Sequence, residues 1–201
     1  MGGRTLALNP PRATPTLRAY RGLSRALAPW LLGWLWWRGR REPGYRERLG
    51  ERLGHLPIDP GRFGGLWLHA ASVGEVQAAR PLIEALLRDW PAHALTVTTQ
   101  TPTGAAALRA AWGDRIAHRF APLDTPGAVR RFLDRLQPQA LVLVERELWP
   151  QWLFECAERA LPVLLANARL SEASARTYSR WPGLMRHAWP RLDVEIGRAH
   201  V

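Results

Sequence analysis

From residue 66 onward the chain alternates short apolar runs with longer stretches whose apolar residues recur every three or four positions. The short runs predict strands at 66–69, 94–99, 116–120, 141–144 and 163–166. The periodic stretches predict helices at 73–89, 104–112, 126–136 and 150–160, with a further helix from Glu172 to Arg180. Strand followed by helix, repeated in this way, is how right-handed βαβ units build a parallel sheet. The expected fold class is therefore α/β, a Rossmann-like parallel sheet with helices on both faces, occupying residues 66–192. Ligands of such sheets bind beyond the carboxyl ends of the strands, which directs attention to the strand-to-helix turns.

The pattern upstream is different. Residues 1–16 are rich in Gly, Pro and Thr, lack a hydrophobic period, and are expected to form a disordered leader. Within 17–41, Ala26 to Trp37 is an apolar run with four tryptophans, preceded by Arg18, Arg21 and Arg25 and followed by Arg38, Arg40 and Arg41. The run is too short for a bilayer core, which takes about 20 residues. It predicts an amphipathic, Trp-rich helix seated among lipid headgroups; the alternative is a helix packed on the domain's own core. Residues 42–65 read as a polar connector punctuated by Gly and Pro, and contain Tyr45-Arg-Glu-Arg-Leu-Gly-Glu-Arg-Leu-Gly54.

Charge and composition narrow the partners. The net charge of +11 fits something rich in phosphate: nucleic acid, anionic lipid or a phosphorylated substrate. All 28 basic residues are arginine, which reads in part as a GC-rich codon bias. The single cysteine, Cys156, excludes an internal disulfide framework, and without a CxxC pair or clustered histidines a structural zinc site is not expected. The apolar run has no small-residue cleavage site after it, so it does not read as a signal peptide.

Four turns could carry chemistry. The first, His69-Ala-Ala-Ser-Val-Gly-Glu75, places Ser72, Gly74 and Glu75 after the first strand. Ser72 and Glu75 have the spacing of a capping box, and helix capping competes with catalysis for the same carboxylate. Gly74 removes a side chain where a ligand could approach the backbone. GxGxxG and GxxxxGK[ST] are both missing, which disfavours NAD or P-loop ATP. The second turn, Thr98-Thr-Gln-Thr-Pro-Thr-Gly104, gathers hydroxyls at a helix start, where Thr101, Thr103 and Gly104 could meet an anion or sugar hydroxyls, or the threonines could simply cap. The fourth, Val144-Glu-Arg-Glu-Leu-Trp-Pro150, ends a buried strand in two carboxylates around an arginine, a cluster that is either paired, ligand-binding or solvated. The fifth, Asn167-Ala-Arg-Leu-Ser171, again puts polar groups after a buried strand.

Taken in order, these segments resemble the Kdo (3-deoxy-D-manno-octulosonic acid) transferase family: Tyr45 to Gly54, His69 to Glu75, Thr98 to Gly104, Ala121-Pro-Leu-Asp124, Glu147-Leu-Trp-Pro150, and Asn167 to Ser171 with Ser174. The resemblance implies the N-terminal, acceptor-binding half of a GT-B glycosyltransferase at the cytoplasmic face of the inner membrane. That enzyme inverts the anomeric centre without a bound metal or cofactor. It implies transfer of Kdo from CMP-Kdo to the lipid A precursor, lipid IVA, in lipopolysaccharide biosynthesis, with Glu75 as general base. It further implies acceptor-binding or supporting roles for Ser72, Gly74, Thr101, Thr103, Gly104, Glu147, Asn167, Arg169 and Ser171. Arg146 departs from the family, which commonly has a small polar residue there.

The implied partners are the lipid A precursor, anionic inner-membrane lipids, and CMP-Kdo through a C-terminal nucleotide-sugar domain that this chain lacks; nucleic acid is not expected. Ile196-Gly-Arg-Ala-His-Val201 fit no segment of the family, and the codons ATC GGA AGA GCA CAC GTC, found in a common sequencing adapter, would encode them. Residues 196–201 are thus expected to be an artefactual end to a truncated frame, leaving a fragment inactive alone. Two other functions fit the composition: a nucleic-acid-binding module, which stacking aromatics between arginines on a strand surface would favour, and a membrane adaptor with the same fold but no activity.

Overall fold

A computed structural model describes residues 13–57, 64–145, 149–168 and 194–197. Helix α1 (Pro15–Arg38) and the short α2 (Leu49–Arg52) precede β1 (Leu66–His69), α3 (Val73–Ala78), α4 (Arg80–Asp89), β2 (Leu95–Thr99) and α5 (Pro102–Trp112). Then follow β3 (Ala117–Phe120), α6 (Pro126–Leu136), β4 (Ala140–Val144), α7 (Pro150–Glu158), β5 (Val163–Ala168) and β6 (Val194–Gly197). The strands form one parallel sheet in the order β3-β2-β1-β4-β5-β6. This is the Rossmann order, whose direction reverses between β1 and β4.

Strand residues alternate between two cores, as period-two geometry requires. Trp67, Leu141, Leu143, Val163 and Leu165 pack with Phe132 and Leu133 of α6 and Trp152 of α7. Leu68, Val97, Val142 and Val144 pack with Val76, Ile83, Leu108 and Trp112 of α3 to α5. Trp67 is fully buried, its ring centroid 4.8 Å from those of both Phe132 and Trp152. Helices thus cover both faces, as expected.

Several features differ from the sequence reading. The helix expected at 73–89 breaks at Ala79, because Pro81 lacks the N–H an uninterrupted helix would use and its ring would strike the carbonyl of Gln77. Helix α1 starts at Pro15, inside the expected leader, because Thr14 caps it with its side chain. The segment 42–65 is no mere connector: Tyr45, Glu51, Arg52 and Leu56 are buried. The sheet also continues past 192 into β6, which includes Ile196 and Gly197 of the presumed artefactual end. Val-Glu-Ile-Gly is too short and mixed to read as a strand alone; residues 198–201 and the helix expected at 172–180 lie outside the described residues.

Candidate acceptor site at the carboxyl edge of the sheet

Ser72 leaves β1 in an extended conformation and caps α3, its Oγ accepting from Glu75 N at 3.5 Å. Glu75 reaches back: Oε2 accepts from Ala71 N at 2.7 Å and Oε1 lies 3.4 Å from Ser72 Oγ. The capping box is therefore built. These contacts hold the carboxylate in place at the start of α3. Beside it Gly74 is exposed, and a Cβ added there would meet only Ser72 Oγ at 3.9 Å, leaving that face open to a ligand.

The second turn adjoins the first through Gln100 N, which donates to Ala71 O at 2.9 Å. Thr101 accepts from Gly104 N at 3.1 Å and from Thr103 Oγ at 3.3 Å, so both hydroxyls serve the start of α5. A Cβ on Gly104 would sit 3.1 Å from Thr101 Oγ1 and 3.3 Å from Thr99, so the chain's own packing already asks for glycine there. Across the switch point, β4 ends at Glu145 with φ 67°, and β5 carries Asn167 with φ 54°. Left-handed backbone suits asparagine but costs a glutamate, so local strain lies at the carboxyl ends of these two adjacent strands. Glu147, Arg146, Arg169, Ser171 and Ser174 lie outside the described residues.

Sequence reasoning missed the groups beneath these turns. Arg48 Nη2 donates to His118 Nδ1 at 2.8 Å, and since arginine has no acceptor this fixes the histidine proton on Nε2, which donates to Thr99 Oγ1 at 2.9 Å. Thr99 in turn donates to Thr101 O at 3.2 Å. Burial, then Arg48, Arg109, Arg119 and Arg52, push the imidazole down to about 3, so it stays neutral as this relay needs. Glu51 accepts from Phe120 N at 2.7 Å and pairs with Arg48 at 3.3 Å; burial nonetheless pushes its carboxyl up. Arg52, 1% exposed, donates through Nη2 to Gln100 O at 2.8 Å and through Nη1 to Gln100 Oε1 at 3.3 Å, with its guanidinium 4.5 Å from the Phe120 ring. Burial brings Arg52 down to about 10. All three side chains come from the Tyr45–Gly54 segment, whose closing Gly54, at φ 84°, has Ala128 O where a Cβ would stand.

Asp124 does the same for α7. Its Oδ1 accepts from Trp152 N at 3.1 Å, and its Oδ2 from Gln151 N at 3.2 Å and from the Tyr20 hydroxyl of α1 at 2.5 Å. The carboxylate caps a helix whose own N-cap, Trp149, offers no side-chain bond. Complete burial pushes Asp124 up to about 6, against these three hydrogen bonds. Because the folded state holds this proton more tightly than an unfolded Asp near 3.9, Asp124's contribution to stability is complete below that value and is lost as pH rises through about 6. Urea unfolding at pH 5 and pH 7 is expected to show a smaller gain on acidification in Asp124→Asn than in the parent; parallel profiles would contradict the assignment.

Compared with known proteins, residues 47–197 match the family described as 3-deoxy-D-manno-octulosonic-acid transferase (kdotransferase). The chain is 37% identical over 164 residues to the 3-deoxy-D-manno-octulosonic acid transferase of Haemophilus influenzae, covering 80% of this chain and 38% of that protein. It is 37% identical over 182 residues to that of Bordetella pertussis, covering 84% and 41%. It is 33% identical over 166 residues to a probable mitochondrial one of Arabidopsis thaliana, covering 82% and 36%. The chain thus spans well under half the length of these curated relatives. The family match begins within the segment that carries Arg48, Glu51 and Arg52, in keeping with its packing under the sheet.

Proposed function

Because the chain belongs to the Kdo transferase family, we propose that it is the acceptor-binding half of a GT-B enzyme that transfers Kdo from CMP-Kdo to the lipid A precursor. The observation that supports this most is Glu75, oriented by Ala71 N–H and the Ser72 hydroxyl at the carboxyl end of β1, beside the switch point where such sheets bind ligands. A sugar hydroxyl is a poor nucleophile. A carboxylate within hydrogen-bond reach takes its proton as the oxygen attacks the anomeric carbon, which inverts that centre as CMP leaves. Ser72 orients the carboxylate, and the open face at Gly74 lets the acceptor approach; no metal or cofactor enters this scheme, in which CMP-Kdo is bound by a second domain.

The acceptor is a diphosphorylated, acylated glucosamine disaccharide embedded in a bilayer, and helix α1 suits the task of meeting it. Leu23, Leu27, Trp30, Trp36 and Trp37 are exposed, so the helix does not spend its aromatic residues on the protein's own core. No described helix is long and apolar enough to cross a membrane. In the proposed reading helix α1 lies in the headgroup region of the cytoplasmic leaflet of the inner membrane, its arginines facing anionic lipid at about 1 kcal/mol each, a placement that the exposed tryptophans support. Cosedimentation with vesicles containing phosphatidylglycerol should fall severalfold when Trp30, Trp36 and Trp37 are all changed to alanine. It should also fall in pure phosphatidylcholine; no change in either would remove α1 as the anchor.

A non-catalytic adaptor is favoured by one observation, the occupation of Glu75 as a helix cap. The deciding experiment joins residues 1–197, which keep β6 on the sheet, to the C-terminal domain of a related Kdo transferase. Transfer of Kdo to lipid IVA by this chimera is expected; a folded but inactive chimera would favour the adaptor.

A further inference from the structure

A groove of about 230 Å³ runs between α1 and the carboxyl ends of β2 and β3, walled by Leu23, Leu27, Leu123 and Trp149. Its lining is mostly apolar, and among the described residues it contains no arginine, although the chain has 28 basic residues, all of them arginine. The ionisable groups in its wall are Asp124 and Tyr20, bonded to each other. Among the described residues a phosphate would meet one carboxyl and no cation, so this wall favours a neutral, apolar group as occupant.

One polar side chain stands in this wall on the side of the Glu75 turn. Gln100 is half-buried, and its main-chain N–H is bonded to Ala71, whose own N–H holds Glu75. Arginine only donates, so the amide atom 3.3 Å from Arg52 Nη1 is Oε1 and the NH₂ is turned away from it. That NH₂ has no hydrogen-bond partner among the described residues, and the Arg52 bond to Gln100 O fixes the backbone from which it projects.

Resting on the acceptor reading above, we infer that Gln100 is a specificity-determining contact. Its NH₂ donates to the carbonyl at which an acyl chain joins the acceptor sugar, the chain runs along the groove toward exposed Leu23 and Leu27, and Arg52 is the positioning residue that keeps the amide so turned. An acyl carbonyl fits because it joins a hydrogen-bond acceptor to an apolar chain, matching the Gln100 NH₂ at one end of a mostly apolar wall that also carries the Ser24 and Thr125 hydroxyls. The nearby base would then meet a hydroxyl set by where the lipid is held.

The test uses the 201-residue chain and two probes, the acylated diphosphorylated glucosamine disaccharide and its fully deacylated form, with binding followed by calorimetry in one detergent. Gln100→Ala is expected to weaken binding of the acylated probe about five- to tenfold, the worth of one hydrogen bond, and to leave the deacylated probe unchanged. Arg52→Met should do the same, and the double variant should lose no more than either alone, since the two act as one unit. Equal binding of the acylated probe by Gln100→Ala and the parent overturns the inference while leaving the acceptor reading intact. Losses that multiply in the double variant overturn the positioning role of Arg52, whose effect would then be on the fold. If the parent binds neither probe, the acceptor reading itself fails and takes the inference with it. Should Arg52→Met not fold, Arg52→Lys, which keeps one donor but not the fork, is expected to show a smaller loss on the acylated probe only.

Discussion

Changing Glu75 to glutamine in the two-domain chimera is expected to lower the rate of Kdo transfer by about 10²- to 10⁴-fold, the usual contribution of a general base. The amide oxygen of glutamine can still accept from Ala71 N, which Glu75 Oε2 meets at 2.7 Å, so α3 keeps its cap and the protein its fold. What is lost is the ability to take a proton. The expected pattern is therefore a large fall in kcat with little change in KM for the acceptor and an unaltered thermal midpoint. Glu75→Ala keeps the Ser72 cap but loses the hydrogen bond from Ala71 N, and should add about 1 kcal/mol of destabilisation to the same kinetic defect. A glutamine variant that transfers at the parent's rate would reduce Glu75 to a helix cap and leave the base unassigned.

The largest expected loss of stability comes from a residue with no part in this chemistry. Glu155, 2% exposed on α7, accepts from Arg130 at 2.9 Å, Arg159 at 2.7 Å and Gln151 at 2.7 Å, with Arg21 of α1 at 4.0 Å. Gln151 is fully buried, and Arg21 Nη2 already lacks a hydrogen-bond partner. Glu155→Ala leaves buried Gln151 without its acceptor and Arg21, 15% exposed, without its nearest anion, while Arg130 and Arg159 can turn to solvent, a loss of about 1–3 kcal/mol. Urea unfolding should show the midpoint falling at constant m-value. The same change should loosen α1, because Arg21 donates to Gln151 at 2.7 Å and Gln151 is itself held by Glu155. A loss below about 1 kcal/mol would mean that water replaces the carboxylate, with Arg130, 55% exposed, swinging into solvent.

Both residues show why parts of the site were legible and others were not. Ser72 and Glu75 sit three apart at a strand-to-helix junction, and spacing of that kind is a local property, so the capping box was readable before any fold was known. Thr101 as the cap of α5 was readable for the same reason. Arg52 and Gln100 lie 48 residues apart and Tyr20 and Asp124 lie 104 apart; no period or spacing links such pairs. Arg48, Glu51 and Arg52 read as part of a polar connector because their partners, His118, Phe120 and Gln100, belong to other strands and turns.

The sequence by itself determined the α/β class, five of the strands, the faces they bury and the family to which the turns belong. Hydrophobic period and local capping are written in neighbouring residues, and a parallel sheet buried on both faces leaves short continuous apolar runs between the amphipathic stretches. The tertiary structure decided the strand order, the addition of β6, the break at Ala79 and the burial of Arg52, Glu51 and Asp124. It also decided that the tryptophans of α1 face outward. The physical reason is the same in each case. A polar group is buried only where a partner meets it, and which distant residue supplies that partner is fixed by how the chain returns, not by what stands beside it.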